Sequence, residues 1–334
     1  MKYKRQRIIF KLTILIYVCL SLFNVVGCKK AIPPIEPGPK IYSDFSVNFL
    51  DVGQGDCIFI RLPDGKNALI DCGVNDANQE NSKYIISYLK NYGVNTIDYF
   101  VLTHPDDDHI GCAIDIMNTF TIGKMYISKI HPALMQNFQS FESVFKVIVE
   151  KEIEYKYSAL PIKIVGTNYH FAFLSPQNDH RNSYNELIKQ LIPTSGDINN
   201  LSPIIYFSCF DKRFIFTGDA ESKEEKYVVE NYISGIYDLY YDDLQINLTD
   251  VDYLKLSHHG SSDASCEEFL SLLKPKNAII SVGNDNFYGH PSSDTLLRLQ
   301  TICDEYNLYR TDQLGTITIY VENQEFKIQT TKNN

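Results

Sequence analysis

From Phe45 onward the chain alternates apolar and polar positions with a period of two, and Phe45, Val47 and Phe49 mark one face of a strand. Cys57-Ile58-Phe59-Ile60 and Ala68-Leu69-Ile70 follow, separated by the turn residues Pro63-Asp64-Gly65, which predicts three consecutive short strands. Between Glu80 and Tyr92 the apolar positions Tyr84, Ile85, Tyr88 and Leu89 recur at helical spacing, and an apolar run over 97–102 predicts the next strand. A helix is expected from about His109 and another over 134–151, then strands at 162–165 and 169–174. Residues 176–199 are polar and read as a long loop with a helical turn at 184–191. A hairpin over 203–210 and 213–217 precedes helices at 222–232, 266–273 and 294–303, interleaved with strands at 251–256 and 278–282. Terminal strands are expected near 307–310, 315–321 and 325–329. The natural packing of this order is α/β, with two mixed sheets each covered by helices.

The first residues are a different material. Lys2, Lys4, Arg5, Arg7 and Lys11 precede an apolar stretch from Leu12 to Val26, shorter than the roughly 20 residues of a spanning helix, so 1–27 reads as a secretory signal. The stretch ends in Val25-Val26-Gly27-Cys28, which resembles the lipobox of bacterial lipoproteins. Cys28 would then carry a lipid anchor and hold the protein to a membrane of the bacterial cell envelope, outside the cytoplasm. An ordinary signal peptide with a chance cysteine is the alternative. Pro33, Pro34, Pro37 and Pro39 favour an extended tether over 28–40, and the folded body is expected over 41–330.

With 334 residues, 44% of them hydrophobic, the chain is long enough to bury a sizeable core. Its formal charge of -10 becomes about -15 once the five positive charges of the signal are removed. An acidic surface repels polyanions, so any nucleic-acid role has to rest on a local site or on bound cations. Six cysteines remain beyond Cys19 and Cys28, which permits disulfides without requiring them. No CxxC pair occurs, which argues against a thiolate zinc cage, and Cys57, Cys72 and Cys209 read as buried thiols.

The chemistry concentrates in Thr103-His104-Pro105-Asp106-Asp107-Asp108-His109-Ile110-Gly111, where two imidazoles and three carboxylates fall within six positions after an apolar strand. Three further segments end an apolar run with metal-ligand residue types: Asp71, Gly218-Asp219, and His258-His259-Gly260-Ser261. Loops at strand ends are where α/β architectures build sites.

These segments, with Phe49-Leu50-Asp51-Val52-Gly53-Gln54-Gly55-Asp56 and Tyr288-Gly289-His290-Pro291-Ser292, resemble the metallo-beta-lactamase superfamily and, more narrowly, the hydrolase domain of ComEC-type competence proteins. The likeness covers roughly 41–330 and lacks the membrane segments of those proteins, so it implies a freestanding, exported hydrolase domain with a four-layer αββα sandwich. It assigns His104 and Asp106 to one metal. Asp108, His109 and one of the paired histidines, His258 by preference and His259 as the alternative, go to the other, with Asp219 as a bridge. Asp106 stands where wider members carry His, and a carboxylate favours harder ions, so one or two divalent ions, Zn or Mn, are implied. The superfamily's further histidine has no clear equivalent, since neither His170 nor His180 has the usual context. Asn200 and Ser202 occupy the place of an Asn-rich motif. Asp51 and Asp71 are expected to orient ligands by hydrogen bonds, or else to be satisfied turn aspartates.

In that resemblance Asp108 would orient a metal-activated water, and His290 would stabilise the transition state or protonate the leaving oxygen, unless it is only a turn residue beside Gly and Pro. The implied function is a metal-dependent phosphodiesterase or nuclease acting on DNA or RNA. The alternatives are an esterase of envelope phosphodiesters of the teichoic-acid phosphocholine type, and a non-catalytic binding lipoprotein that kept the fold. The stretch Tyr237-Asp238-Leu239-Tyr240-Tyr241-Asp242-Asp243 is either a substrate rim or an ordinary packed insertion.

Overall fold

The computed structural model describes residues 45–76, 78–130, 135–176, 194–303 and 305–332. The expected signal over 1–27, the expected tether with Cys28, His180 and the expected turn at 184–191 lie outside the described residues. Strands β1 (Ser46–Phe49), β2 (Ile58–Arg61) and β3 (Asn67–Ile70) form an antiparallel meander. The β2–β3 turn closes where Leu62 N–H donates to the Lys66 carbonyl at 2.9 Å, with Gly65 at φ 85. Strands β4 (Thr96–Leu102), β5 (Thr121–Ile127) and β6 (Tyr155–Tyr157) extend this sheet in parallel. After the second sheet, β14 (Ile317–Glu322) and β15 (Glu325–Thr330) return to it, giving the order β15-β14-β1-β2-β3-β4-β5-β6.

The second sheet runs β13-β12-β11-β10-β9-β8-β7, built from β7 (Ile162–Gly166), β8 (Tyr169–Phe173), β9 (Ile205–Cys209), β10 (Lys212–Phe216), β11 (Tyr253–Lys255), β12 (Asn277–Ile280) and β13 (Asn307–Arg310). The sheets face each other across Phe45, Phe49, Ile58, Phe207, Phe214 and Phe216. Each such fully buried side chain contributes roughly 1.5–3 kcal/mol of transfer free energy. Among the described residues the α-helices in chain order are α1 (Glu80–Asn91), α2 (Asp107–Ile110), α3 (Ala113–Thr119), α4 (Gln139–Glu150) and α5 (Ser195–Asn199), then α6 (Ser222–Ile233), α7 (Ile236–Tyr240), α8 (Glu267–Leu273), α9 (Ser293–Ile302) and α10 (Thr311–Leu314). Ile85 and Leu89 of α1, Ile116 of α3 and Val144 of α4 cover the outer face of the first sheet, while Val228, Tyr237, Phe269 and Leu299 cover that of the second. The layers are αββα, as the resemblance implies.

Parallel pairing positions the site. Strands side by side and parallel end at the same edge, so β3 and β4, registered at Ile70↔Val101, deliver Asp71 and the 103–109 segment together. In the facing sheet β10 and β11, registered at Ile215↔Leu254, deliver Gly218-Asp219 and His258-His259 in the same way.

The structure adds β5 and β6, which the hydrophobic pattern did not predict. The first half of β5 is mostly exposed and contains Gly123, and β6 is only three residues long, so neither shows a sustained alternation. The helix expected from His109 is two pieces, α2 and α3, and the regular helix expected over 134–151 runs from Gln139 to Glu150. Inside the expected loop lies α5, opened by a capping box in which the Thr194 side chain accepts from Asp197 N–H at 3.2 Å. The Tyr237–Asp243 stretch is anchored by buried Tyr237 and Tyr241, whose hydroxyls donate to the Leu174 and Phe173 carbonyls, while Leu239 and Tyr240 are exposed.

Candidate metal centre

Four loops bring their side chains to one buried point. Asp71, at φ 57, turns its carboxylate back under the 103–109 loop, where it accepts from Thr103 N–H (2.8 Å), Thr103 Oγ1–H (2.7 Å) and His109 Nδ1 (2.8 Å). In the neutral ring that last bond fixes the His109 tautomer, with the proton on Nδ1 and the lone pair on Nε2. The single proton of Thr103 goes to Asp71, so at His104 Nδ1, 3.2 Å away, Thr103 Oγ1 accepts. Ser202 Oγ also lies 3.2 Å from His104 Nδ1 and accepts Asp219 N–H at 3.2 Å. His259 Nδ1 donates to the Ser281 carbonyl at 2.7 Å. Three imidazoles are thus held so that each neutral ring turns its Nε2 lone pair inward.

Those Nε2 atoms of His104, His109 and His259 are buried without a hydrogen-bond partner, and so is Oδ1 of Asp219. Orphaned donors and acceptors of this kind are costly in a core, which makes their convergence informative. His109 Nε2 lies 3.2 Å from Asp219 Oδ1, and His259 Nε2 lies 3.5 Å from Asp219 Oδ2 and 3.4 Å from Asp108 Oδ2. His104 Nε2 is 3.7 Å from Asp106 Oδ2 and 4.0 Å from Asp219 Oδ2. Ligands at 2.0–2.3 Å from one ion in a tetrahedron sit about 3.3–3.8 Å apart, so these spacings suit a metal. Donor atoms of His104, His109 and Asp219, and those of Asp108, His109 and His259, form two compact ligand groups sharing His109.

The His-His pair divides its labour. Both residues adopt left-handed backbone, His258 at φ 48, ψ 51 and His259 at φ 52, ψ 21, so consecutive side chains leave the turn in different directions. The geometry places His259, not the preferred His258, against Asp108 and His109. His258 is partly open at the mouth, with Nε2 3.6 Å from Asp219 Oδ2 and Nδ1 3.6 Å from Glu221 Oε1. Burial lowers His258 to about 4. His290 packs beside it, ring centroids 5.4 Å apart, and stacks on Tyr288 at 5.8 Å.

Burial opposes ionisation of Asp108 and Asp219, yet His109 and His259 outweigh it and hold both carboxyls well below the usual range. Burial likewise opposes protonation of His109, and Asp219, Asp71 and Asp108 reverse it, raising His109 well above its ordinary value. A group of charges this strongly coupled is characteristic of a functional site.

Asp51 does not join. Its Oδ2 pairs with Lys332 Nζ at 2.9 Å and its N–H donates to Thr316 Oγ1 at 3.0 Å. Asn200 holds the neighbouring loop, accepting Glu221 N–H at 2.9 Å, while Asn199 donates to Glu221 Oε1 at 2.9 Å. His170 stacks on Tyr206 in the second sheet. Two inner residues escaped the sequence reading: Asp56, whose signal was the same Asp-rich motif as Asp51, and Lys255, whose place in the β11 run reads as core. Cys57, Cys72, Cys112, Cys209 and Cys266 are buried free thiols, and Cys303 is buried as well.

A family model described as the Metallo-beta-lactamase superfamily matches residues 50–284. ComE operon protein 3 of Bacillus subtilis (strain 168) is 28% identical over 299 residues, covering 86% of this chain and 34% of that protein. Recombination protein 2 of Haemophilus influenzae is 26% identical over 256 residues, covering 76% of this chain and 26% of that protein. The chain thus spans about a third or less of the length of the curated relatives it matches. Among solved structures, Igni18, a metallo hydrolase from Ignicoccus hospitalis, aligns with TM-score 0.46 at 14% identity, over 83% of this chain and 100% of that one. Among the described residues no helix is long and apolar enough to cross a membrane. With a family match spanning all four ligand-bearing loops, this chain belongs to the metallo-beta-lactamase superfamily, as a domain of the ComEC-like kind.

Proposed function

We propose that the protein is a metal-dependent phosphodiesterase acting outside the cytoplasm, with nucleic acid as its substrate class. The observation that carries the reading is the convergence of three tautomer-fixed, unpartnered imidazole Nε2 atoms on Asp219. His109, His259, Asp108 and Asp219 would hold one divalent ion; His104, Asp106 and Asp219, with His258 at the mouth, would hold a second. The carboxylates of Asp56, Asp71, Asp106, Asp108 and Asp219 face one ammonium, that of Lys255, so two divalent charges bring the centre to neutrality. Such ions supply Lewis-acid stabilisation of the attacked phosphoryl group and acidify the attacking water.

The chain's own residues do the rest. Asp108, partly open at the mouth, orients the water; His290, held neutral by burial, positions the leaving oxygen. A lipid anchor at Cys28 would hold the enzyme at the membrane. The acidic balance of -10 favours a second reading, an envelope phosphodiester esterase of the phosphocholine type, whose scissile diester carries a compensating choline cation. The test is turnover of bis(p-nitrophenyl) phosphate, single-stranded DNA and RNA with Mn²⁺, Zn²⁺ or chelator, beside Asp219→Ala. Metal-dependent cleavage lost by at least about a thousandfold in Asp219→Ala is expected. Cleavage of the small diester alone would favour the esterase, and no turnover with either metal would sink both.

A further inference from the structure

We propose that Lys255 and Asp56 form a positioning pair that sets the geometry of the metal centre without contacting the ion. The proposal rests on reading the centre as a metal site. Both side chains are buried, 0% and 1% exposed, with Nζ 2.5 Å from Asp56 Oδ2. Lys255 closes β11 in the second sheet and Asp56 precedes β2 in the first, so the ion pair joins the two halves of the sandwich.

Each ligand-bearing loop is tied to this pair. Asp56 N–H donates to the Asp108 carbonyl at 3.2 Å, and the Asp56 carbonyl accepts Gly73 N–H, two residues past Asp71, at 2.8 Å. The chain reaches that position because Gly55, at φ 128, passes so close to the Asp108 carbonyl that a Cβ would lie 2.2 Å from its oxygen. On the other side Lys255 Nζ donates to the Gly218 carbonyl at 3.0 Å and lies 3.9 Å from Asp219 Oδ1. The same Gly218 carbonyl accepts His258 N–H at 3.1 Å. Asp56 Oδ1 lies 3.7 Å from His259 Nδ1 and has no hydrogen-bond partner of its own.

Fold stability does not account for the pair. Removing two ions from water is expensive, and well-packed apolar side chains of similar volume serve a core as well or better. What the ion pair adds is direction: a fixed ammonium with three donors sets the Gly218–Asp219 turn against Asp56, and through it against Asp108. The pair acts on Asp219, Asp108 and His259 together, as outer partners of metal ligands do.

The experiment is metal titration of the whole protein, with Mn²⁺ and Zn²⁺ in competition with a chromophoric chelator, beside thermal melts of the metal-free form. The variants are the isosteric Asp56→Asn and the charge-free double variant Asp56→Leu/Lys255→Met. Both are expected to bind metal about 10–100-fold more weakly than the wild type, while the double variant melts within a few degrees of it. Wild-type metal affinity in either variant overturns the proposal. So does failure of both to fold, which would assign the pair to folding. A wild-type protein that takes up no metal defeats the reading of the centre itself, whereas tight wild-type binding with unchanged variants defeats only the pair.

Discussion

An imidazole offers two nitrogens, and the partner of one decides the use of the other. At His109 the deciding partner is Asp71, whose two oxygens already accept both Thr103 donors. Asp71→Asn keeps the shape but puts an amide N–H₂ against one of those donors. It should weaken metal binding about 10–100-fold in a calorimetric titration with Mn²⁺; wild-type affinity would remove Asp71 from the centre. The carboxylate after an apolar run made Asp71 legible in the sequence. Asp51 carried the same signature and points instead to Lys332, because the run marks a strand end and not the direction in which the next side chain turns. The same limit applies to His258 and His259: sequence located the pair, and only the left-handed turn says which ring goes inside.

At the scale of elements, the His-His turn is the strained piece. Two consecutive non-glycine residues in the left-handed region cost roughly 1–2 kcal/mol each, so the surroundings must hold them. The holder is Glu225 of α6, buried, accepting from Ser257 Oγ (2.6 Å), Ser265 N–H (2.7 Å) and Cys266 N–H (2.8 Å) at the two ends of the loop. Glu225→Ala would leave three buried donors unsatisfied and should destabilise the protein by about 2–5 kcal/mol in urea unfolding. A loss under about 1 kcal/mol would show that the loop keeps its shape unaided. Glu225 sits in a helix that the apolar spacing predicts over 222–232, close to the observed Ser222–Ile233, yet nothing in that spacing marks its carboxylate as buried. Strong periodicity located α1, α6, α8 and α9, whereas short or half-exposed β5 and β6 lacked the signal.

At the scale of the whole molecule, the two sheets meet at a centre that protons and cations contest. Without metal, burial works against a charged His109 and a charged His259, but Asp219 and its neighbouring carboxylates raise both above the ordinary value. A raised folded-state pKa gives stability that is complete below about 6.5 and lost as pH climbs through the raised value. Asp108 and Asp219, held low, give stability above about 3.8 that is lost as pH falls through their lowered values. His258, lowered to about 4, subtracts stability as pH drops from its unfolded value toward that point. The metal-free protein is therefore expected to be most stable in mildly acidic solution. Metal demands the Nε2 lone pairs that those protons occupy, so its affinity rises with pH and its uptake releases protons. An ion bound only by the folded state stabilises by RT ln(1 + [L]/Kd), about 2.7 kcal/mol at a hundredfold excess over Kd. The rise in melting temperature on adding Mn²⁺ or Zn²⁺ should thus widen from about pH 6 to about pH 8.5, as the metal-free form weakens and the loaded form gains. Melts with and without chelator across that range measure it, and a metal-induced shift that stays flat or narrows would show that His109 and His259 do not hold the ion.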